Sequence, residues 1–132
     1  MLFKKENSNL INIAALLIHA AKIDEEYTDK EEEIIKKTLL DLGAEQNELD
    51  LLIINAKKKE DDSNQILDFT REVKSMTENE KIKIIKSLWK IIYSNNQTDI
   101  YEANLMRRLS GLLYIDDKTM VDIKDKIIKE NF

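Results

Sequence analysis

Two nine-residue stretches, IDEEYTDKE at residues 23–31 and SNNQTDIYE at residues 94–102, share one organisation. Each follows a run of apolar residues, is mostly polar, and ends at a glutamate that opens a new amphipathic segment. Thr28 precedes Glu31 by three residues, and Asp99 precedes Glu102 by three. This spacing is typical of a capping box, in which two side chains satisfy the free amides of a helix N-terminus. Each stretch therefore predicts a helix, a short polar loop and a second helix.

The two stretches are offset by 71 residues, the difference between positions 31 and 102. The same offset also pairs similar residues outside them: Leu17 with Leu88, Ala21 with Ile92, Ile34 with Leu105, and Lys37 with Arg108. We interpret this pattern as an internal duplication of a helix-loop-helix unit, at about residues 10–43 and 81–115.

Hydrophobic periodicity predicts about seven helices and no strand. The predicted helices cover residues 8–23, 28–42, 45–59, a short segment after Ser63 that carries Ile66, Phe69 and Val73, 77–94, 99–113, and a last segment capped by Asp116 or Asp117. The first and fifth are apolar over most of their circumference, which indicates helices covered on most sides. We therefore predict an all-α bundle that forms a single domain over residues 1–132.

The two glycines give information about where helices end or come close together. Gly43 can take the left-handed conformation that ends the second helix. Gly111 lies inside the sixth helix, where glycine costs about 1 kcal/mol relative to alanine, so it indicates a close helix contact or an early end. Thr77 and Glu80 form a third capping box at the start of the fifth helix.

Composition excludes several classes of function. The chain has 21 basic and 26 acidic residues, a net charge of −5 and no cysteine, so it has neither disulfides nor thiolate metal sites. The two signs are interspersed, which argues against a nucleic-acid partner because phosphate binding needs a concentrated basic face. The basic run 57–59 is followed at once by Glu60, Asp61 and Asp62, and we interpret it as a solvated helix end.

The N-terminal segment imitates a secretory signal peptide, since Lys4 and Lys5 precede the apolar run 10–21. We interpret the run as part of the fold instead, because it continues into the first repeat and cleavage near Ala21 would remove half of a unit. It is also shorter than the roughly 20 apolar residues that span a bilayer. We expect no membrane insertion.

The second half has a helix, a polar loop with a Tyr-Glu pair at residues 101–102, and a following helix LMRRLSGLLY at residues 105–114, and the arrangement is duplicated. In these features it resembles the tellurite-resistance protein B (TerB)-like domains of bacteria. With the first half, residues 16–43, the resemblance covers most of the chain. In place of the Asp-Gly step of the family, the loops have Asp24-Glu25 and Asn95-Asn96.

This resemblance implies a non-catalytic, all-helical, cytoplasmic domain. TerB-like domains are associated with metal and stress responses and with protein assemblies near the inner membrane, so a protein partner is expected and peripheral membrane association would occur through partners. A homo-oligomer is also compatible with the resemblance. It further implies that acidic loop residues can bind metal ions, which gives the function an alternative: a divalent-cation-binding protein.

The acidic loop residues thus have two interpretations. Asp24, Glu31, Asp99 and Glu102 could ligate a hard cation such as Ca²⁺ or Mg²⁺, which prefers several carboxylate oxygens. The spacing is not that of an EF-hand. Helix capping alone explains Thr28, Glu31, Asp99 and Glu102, and we favour it; on that interpretation the domain has no cofactor.

Three further residues have structural explanations. We expect His19, the sole histidine, to be a packed or edge residue of the first helix, because catalysis or ligation needs a partner that the neighbouring sequence does not supply. Trp89 continues the stripe of Ile82 and Ile85 and is expected in the core. Arg107 and Arg108, like Lys36 and Lys37 of the first unit, fit a solvated face better than a basic docking spot.

No nucleophile-base pair, phosphate-binding glycine loop or histidine metal motif is present in the sequence. The sequence therefore favours a helical interaction domain over an enzyme.

Overall fold

A computed structural model describes residues 2–22, 28–62, 67–74, 76–93 and 100–131. For residues 2–9, 67, 68, 72, 100–103 and 131 the description covers the backbone alone. Within these ranges the chain forms seven α-helices and one short 3-10 turn, Gln46–Glu48. The helices are α1 (Leu2–Ala21), α2 (Asp29–Asp41), α3 (Leu49–Asp62), α4 (Leu67–Val73), α5 (Glu78–Ile92), α6 (Ile100–Leu112) and α7 (Asp117–Asn131). The predicted all-α fold is confirmed.

The core is organised around α1, which packs against α2, α3, α4 and α5. Its middle section, residues 13–18, is entirely buried, and no side chain there is more than 1% exposed. An apolar helix without a polar face is stable in water only when other helices enclose it. This confirms the predicted central position of the first helix.

The second buried helix is α5, which packs against α1, α2 and α7. Trp89 on this helix is 6% exposed, as predicted for a core residue. Its indole Nε1 has no hydrogen-bond partner among the described residues, and Lys124 Nζ of α7 lies 5.5 Å from its ring centroid. The ammonium thus covers one side of the ring while the remainder packs in the core.

One polar contact joins α2 and α5 inside the apolar interface. The hydroxyls of Thr38 and Ser87, both buried, are hydrogen-bonded to each other. Each hydroxyl also lies within hydrogen-bond distance of the carbonyl four residues earlier on its own helix: Thr38 Oγ1 is 2.9 Å from Ile34 O, and Ser87 Oγ is 3.1 Å from Lys83 O. Because each hydroxyl has a single hydrogen, one of them donates across the interface while the other donates to its own carbonyl.

The helix starts follow the predicted caps where the structure describes them. Thr28 and Thr77 are N-caps, and each forms a complete capping box with the glutamate three residues later. Asp116 caps α7: its carboxylate accepts from the Thr119 amide at 2.7 Å, and this hydrogen bond lowers the pKa of Asp116 below its ordinary value. Asp99 and Ser63 lie outside the described residues.

Two predicted starts were wrong. The first helix begins at Leu2 rather than Ser8, because residues 2–7 contain no helix breaker and the apolar pattern marks only the buried part of the helix. The third α-helix begins at Leu49, since residues 46–48 form a 3-10 turn, and it extends to Asp62 rather than Lys59.

Two helices end in the same motif, although only one ends at a glycine. Gly43 has φ +109°, and the amide of the next residue, Ala44, donates to Leu39 O at 2.9 Å. At the end of α6 the left-handed residue is Tyr114, with φ +57°, and the Ile115 amide donates to Ser110 O at 2.9 Å. These are the six-to-one hydrogen bonds of a Schellman motif.

The two left-handed residues are 71 positions apart, the offset of the proposed duplication. Leu17 and Leu88, paired by the same offset, are both fully buried. These matches agree with an internal duplication, which stays a prediction until the two units are superposed.

Gly111 was expected to mark either a close helix contact or an early helix end. The prediction of a close helix contact is wrong, because Gly111 is exposed and a Cβ built on it would have no neighbour within 4 Å. The early end agrees with the structure, because α6 ends at the next residue, Leu112.

None of the helices that the structure describes is long and apolar enough to cross a membrane.

Substituting alanine for each of the two glycines should change the free energy of unfolding in opposite directions. Gly43→Ala should lower the free energy of unfolding by about 1–2 kcal/mol, because a Cβ is strained at positive φ even though space is open around it. Gly111→Ala should raise it by about 0.5–1 kcal/mol, because alanine is the better helix former. Urea denaturation followed by circular dichroism measures both, and a gain from Gly43→Ala would contradict the Schellman ending.

Candidate functional site

The described part of the first acidic loop is the cap of α2. The Glu31 carboxylate folds back onto Thr28: its Oε1 accepts from the Thr28 amide at 2.8 Å and from the Thr28 hydroxyl at 3.0 Å. In return Thr28 Oγ1 accepts from the Glu31 amide at 3.2 Å. Glu31 is only 1% exposed, so its charge is held by these hydrogen bonds and not by solvent. This confirms the capping role predicted for Glu31.

The other predicted metal ligands are not placed by the structure. Asp24 and Asp99 lie outside the described residues, and Glu102 lies in α6 with only its backbone described. Among the residues that are described, no group of three or more carboxylates or histidines is placed to hold a metal ion. Glu31 is already engaged in its cap, so a cation at this loop would have to share its carboxylate.

Next to this loop in the chain, the end of α1 is joined to the end of α3 by a polar cluster of His19, Lys22, Glu60 and Asp61. His19 Nδ1 lies 3.2 Å from one carboxylate oxygen of Glu60, and Lys22 Nζ donates to the other at 2.6 Å. Lys22 also donates to Asp61 at 3.0 Å. The hydrogen bond to Glu60, and next the one to Asp61, raises the pKa of Lys22 above its ordinary value.

This cluster corrects the prediction that the charged end of the third helix is solvated. The Glu60 side chain is only 11% exposed, whereas that of Asp61 is 67% exposed. His19 also lies beside the Phe69 ring, with 6.2 Å between the ring centroids. The partner of His19 is 41 residues away in sequence, which is why a search of the neighbouring sequence could not find it.

A second set of ion pairs joins α2 to α3. Lys36 Nζ lies 3.3 Å from the Asp50 carboxylate and 3.7 Å from that of Glu32, and the hydrogen bond to Asp50 is the main cause of a raised Lys36 pKa. Lys57 Nζ lies 3.2 Å from Glu32. Lys36 therefore does not belong to a free basic spot, while Lys37, Arg107 and Arg108 are exposed, as expected for solvated faces.

Family models provide an independent comparison. Residues 10–125 of the 132-residue chain match the family described as Tellurite resistance protein TerB. The chain belongs to the TerB family. A search of curated proteins and a search of solved structures each gave no match. The match to the TerB family confirms the resemblance drawn from the loops and the LMRRLSGLLY helix, and it spans α2 to α6 completely.

In this TerB-family chain, Glu60 should hold the end of α1 to α3. We expect Glu60→Gln to lower the free energy of unfolding at neutral pH by about 1 kcal/mol, a modest value because Lys22 is largely exposed. Since the Lys22 pKa is raised in the folded state, its contribution is complete below the ordinary lysine pKa and is lost as pH rises through the raised value. Melting temperatures of parent and variant should therefore converge at high pH.

Glu130→Gln, an exposed substitution on α7, is the matched control and should behave like the parent at every pH. A gap between parent and Glu60→Gln that persists unchanged at high pH would show that the lysine pair does not stabilise the fold.

We predict that any divalent cation binds at the first loop, through Asp24 and Glu31, and that the second loop is weak or silent. Five acids lie between positions 24 and 31, but only Asp99 and Glu102 lie between positions 95 and 102. A site with fewer charged ligands generally holds a hard cation less tightly. Calorimetric titration of the parent, Asp24→Asn and Asp99→Asn with Ca²⁺ and Mg²⁺ tests this. Binding that is lost with Asp99 but kept without Asp24 would reverse the assignment.

Proposed function

We propose that this TerB-family domain is a non-catalytic protein-interaction module that acts in the cytoplasm, in a response to metals or other stress. The single observation that carries the interaction role is an exposed apolar pair on α3. Leu51 and Ile54 are each 62% exposed, although the buried stripe of the same helix is well covered. Their spacing of three residues places them side by side on one helix face.

The surroundings of this pair resemble the edge of a protein interface. Asp50 and Lys57 lie within one turn of Ile54 on the same helix, and both form ion pairs with α2. An apolar centre with a charged rim is the usual arrangement at protein interfaces. Single exposed leucines are common on monomers, but two large aliphatic side chains in contact range are better explained by a partner that covers them.

Several observations support the other parts of the proposal. The chain has no cysteine and a single histidine, so a nucleophile-base pair would have to be built without the most common groups. Among the described residues, His19 is hydrogen-bonded to Glu60 and its ring contacts the ring of Phe69. The absence of cysteine also fits a reducing compartment. The proposed stress role rests on the description of the family.

Site-specific photo-crosslinking tests the interaction role. A photoreactive phenylalanine analogue placed at Leu51 or at Ile54 should crosslink one discrete protein in cells that express the chain. The control is the same analogue at Val121 of α7, which is 52% exposed. A product of the size of two chains would identify a second copy as the partner.

Leu51→Lys with Ile54→Lys should abolish capture of the partner and change the free energy of unfolding by no more than about 0.5 kcal/mol, as for other surface substitutions. Equal crosslinking from positions 51, 54 and 121 would contradict a specific interface on α3.

A further inference from the structure

A small groove lies between the end of α4 and the end of α6. Its volume is about 260 Å³, and it is lined by Thr70, Arg71, Lys74, Gly111, Leu112 and Tyr114. Sites for drug-sized ligands and cofactors usually have about 300–1,000 Å³, so this groove suits one or two side chains of a protein better than a whole cofactor.

The groove is cationic. Arg71 and Lys74 line it, and Lys81 of α5 lies beside it: Lys74 Nζ and Lys81 Nζ are 6.0 Å and 5.7 Å from the centroid of the Tyr114 ring. Among the described residues, none of these three cations forms an ion pair with a carboxylate. This differs from Lys22, Lys36 and Lys57, which are all paired.

Lys81 is unusual because it is only 7% exposed. The aliphatic part of the side chain accounts for this burial, because the Lys81 ammonium is not among the described polar atoms that are buried without a hydrogen bond. Lys81 also lies in the first turns of α5, where the positive end of the helix dipole opposes a second positive charge. The contact with the Tyr114 ring offsets only part of this repulsion. An anion brought to the groove would pair with this ammonium.

Tyr114 adds an exposed aromatic surface to the groove. It is 71% exposed, and it adopts the left-handed conformation that strains a side chain with a Cβ. The corresponding helix end of α2 uses Gly43 instead. Strained, exposed residues are concentrated at binding sites, so an exposed tyrosine at this position points to a ligand.

The three cations could instead have a structural role, which is to neutralise the negative C-terminal end of α6. That end carries only about half of a negative charge, and its last carbonyls already accept the Schellman hydrogen bonds. Of the carboxylates that the structure describes just after α6, Asp116 caps α7 and Asp117 lies 3.5 Å from the Ser110 hydroxyl. Three positive charges are more than the C-terminal end of α6 needs for neutralisation.

From these observations we propose that the groove binds an acidic segment of a partner protein, in which carboxylates pair with Arg71, Lys74 and Lys81 and a neighbouring apolar side chain packs on Tyr114 and Leu112. The apolar lining favours a peptide over a free phosphate, which would use the charges alone. The amides at the start of α5, which would favour phosphate, are in part satisfied by the Thr77 capping box. The inference rests on the proposed interaction function but uses a different surface from the α3 pair.

The test is selection of peptides from a displayed random 12-residue library on the full chain, followed by fluorescence polarisation with the labelled peptides. Selected peptides should be net acidic, with at least one apolar residue next to an acid. Arg71→Glu with Lys74→Glu should weaken their binding by at least about tenfold, as expected when attractive charge pairs across an interface become repulsive. Tyr114→Gly, which keeps the helix end unstrained, should weaken it without lowering the melting temperature.

The matched control is Lys126→Glu with Lys129→Glu, two exposed positions on α7 that give the same change in net charge and should leave binding within about twofold of the parent. Equal weakening by the control would show a general charge effect and overturn the site. Neutral or basic selected peptides would also overturn it, as would competition at equal strength by inorganic phosphate or by anionic lipid vesicles.

Failure of the groove and failure of the proposed function give different results. Peptides that lose binding with Leu51→Lys and Ile54→Lys, but not with Arg71→Glu and Lys74→Glu, would support the α3 surface and overturn the groove. Crosslinking from positions 51 and 54 is unaffected by the groove variants if the two surfaces act separately.

Discussion

The enclosure of α1 is the constraint on which the rest of the structure depends. A helix with no polar face over residues 13–18 must be covered on every side, and α2, α3, α4 and α5 do so. Two polar contacts fix α3 along it: the Asn12 amide oxygen accepts from the Lys59 ammonium, and His19 meets Glu60. The apolar surface supplies the stability, and these polar contacts, both at the C-terminal end of α3, help to determine where that end of the helix lies.

Local signals in the sequence were sufficient to predict most of the helices. A capping box or a left-handed glycine acts within four or five residues, so Thr28, Thr77 and Gly43 could be identified without knowledge of the fold. The core residues followed from periodicity for the same reason. Local patterns were less informative where they have two meanings: the first helix extends beyond its apolar section, and of the two explanations for Gly111 only the early helix end agrees with the structure.

The charged residues were predicted less well, because their environment is set by helices distant in sequence. Glu60 belongs to a run of charges that looks solvated, yet α1 covers it. The burial of Lys81 and the left-handed tyrosine at position 114 likewise depend on how α4, α5 and α6 meet. No pattern within one helix shows how separate helices pack together, so the proposed binding groove, which is formed by three helices, could not be predicted from the sequence.

The hydroxyl pair between α2 and α5 has a consequence for how these helices can move. Thr38 and Ser87 have two hydroxyl hydrogens between them and three contacts that could use one: the contact between the hydroxyls, and a carbonyl on the helix of each. One hydroxyl therefore donates across the interface while the other donates to its own carbonyl. If the helices slide or part, each hydroxyl keeps its own carbonyl acceptor and no buried donor loses its partner. The contact between the two proposed repeat units can therefore open at this point at little polar cost, and the apolar side chains around it provide most of the resistance.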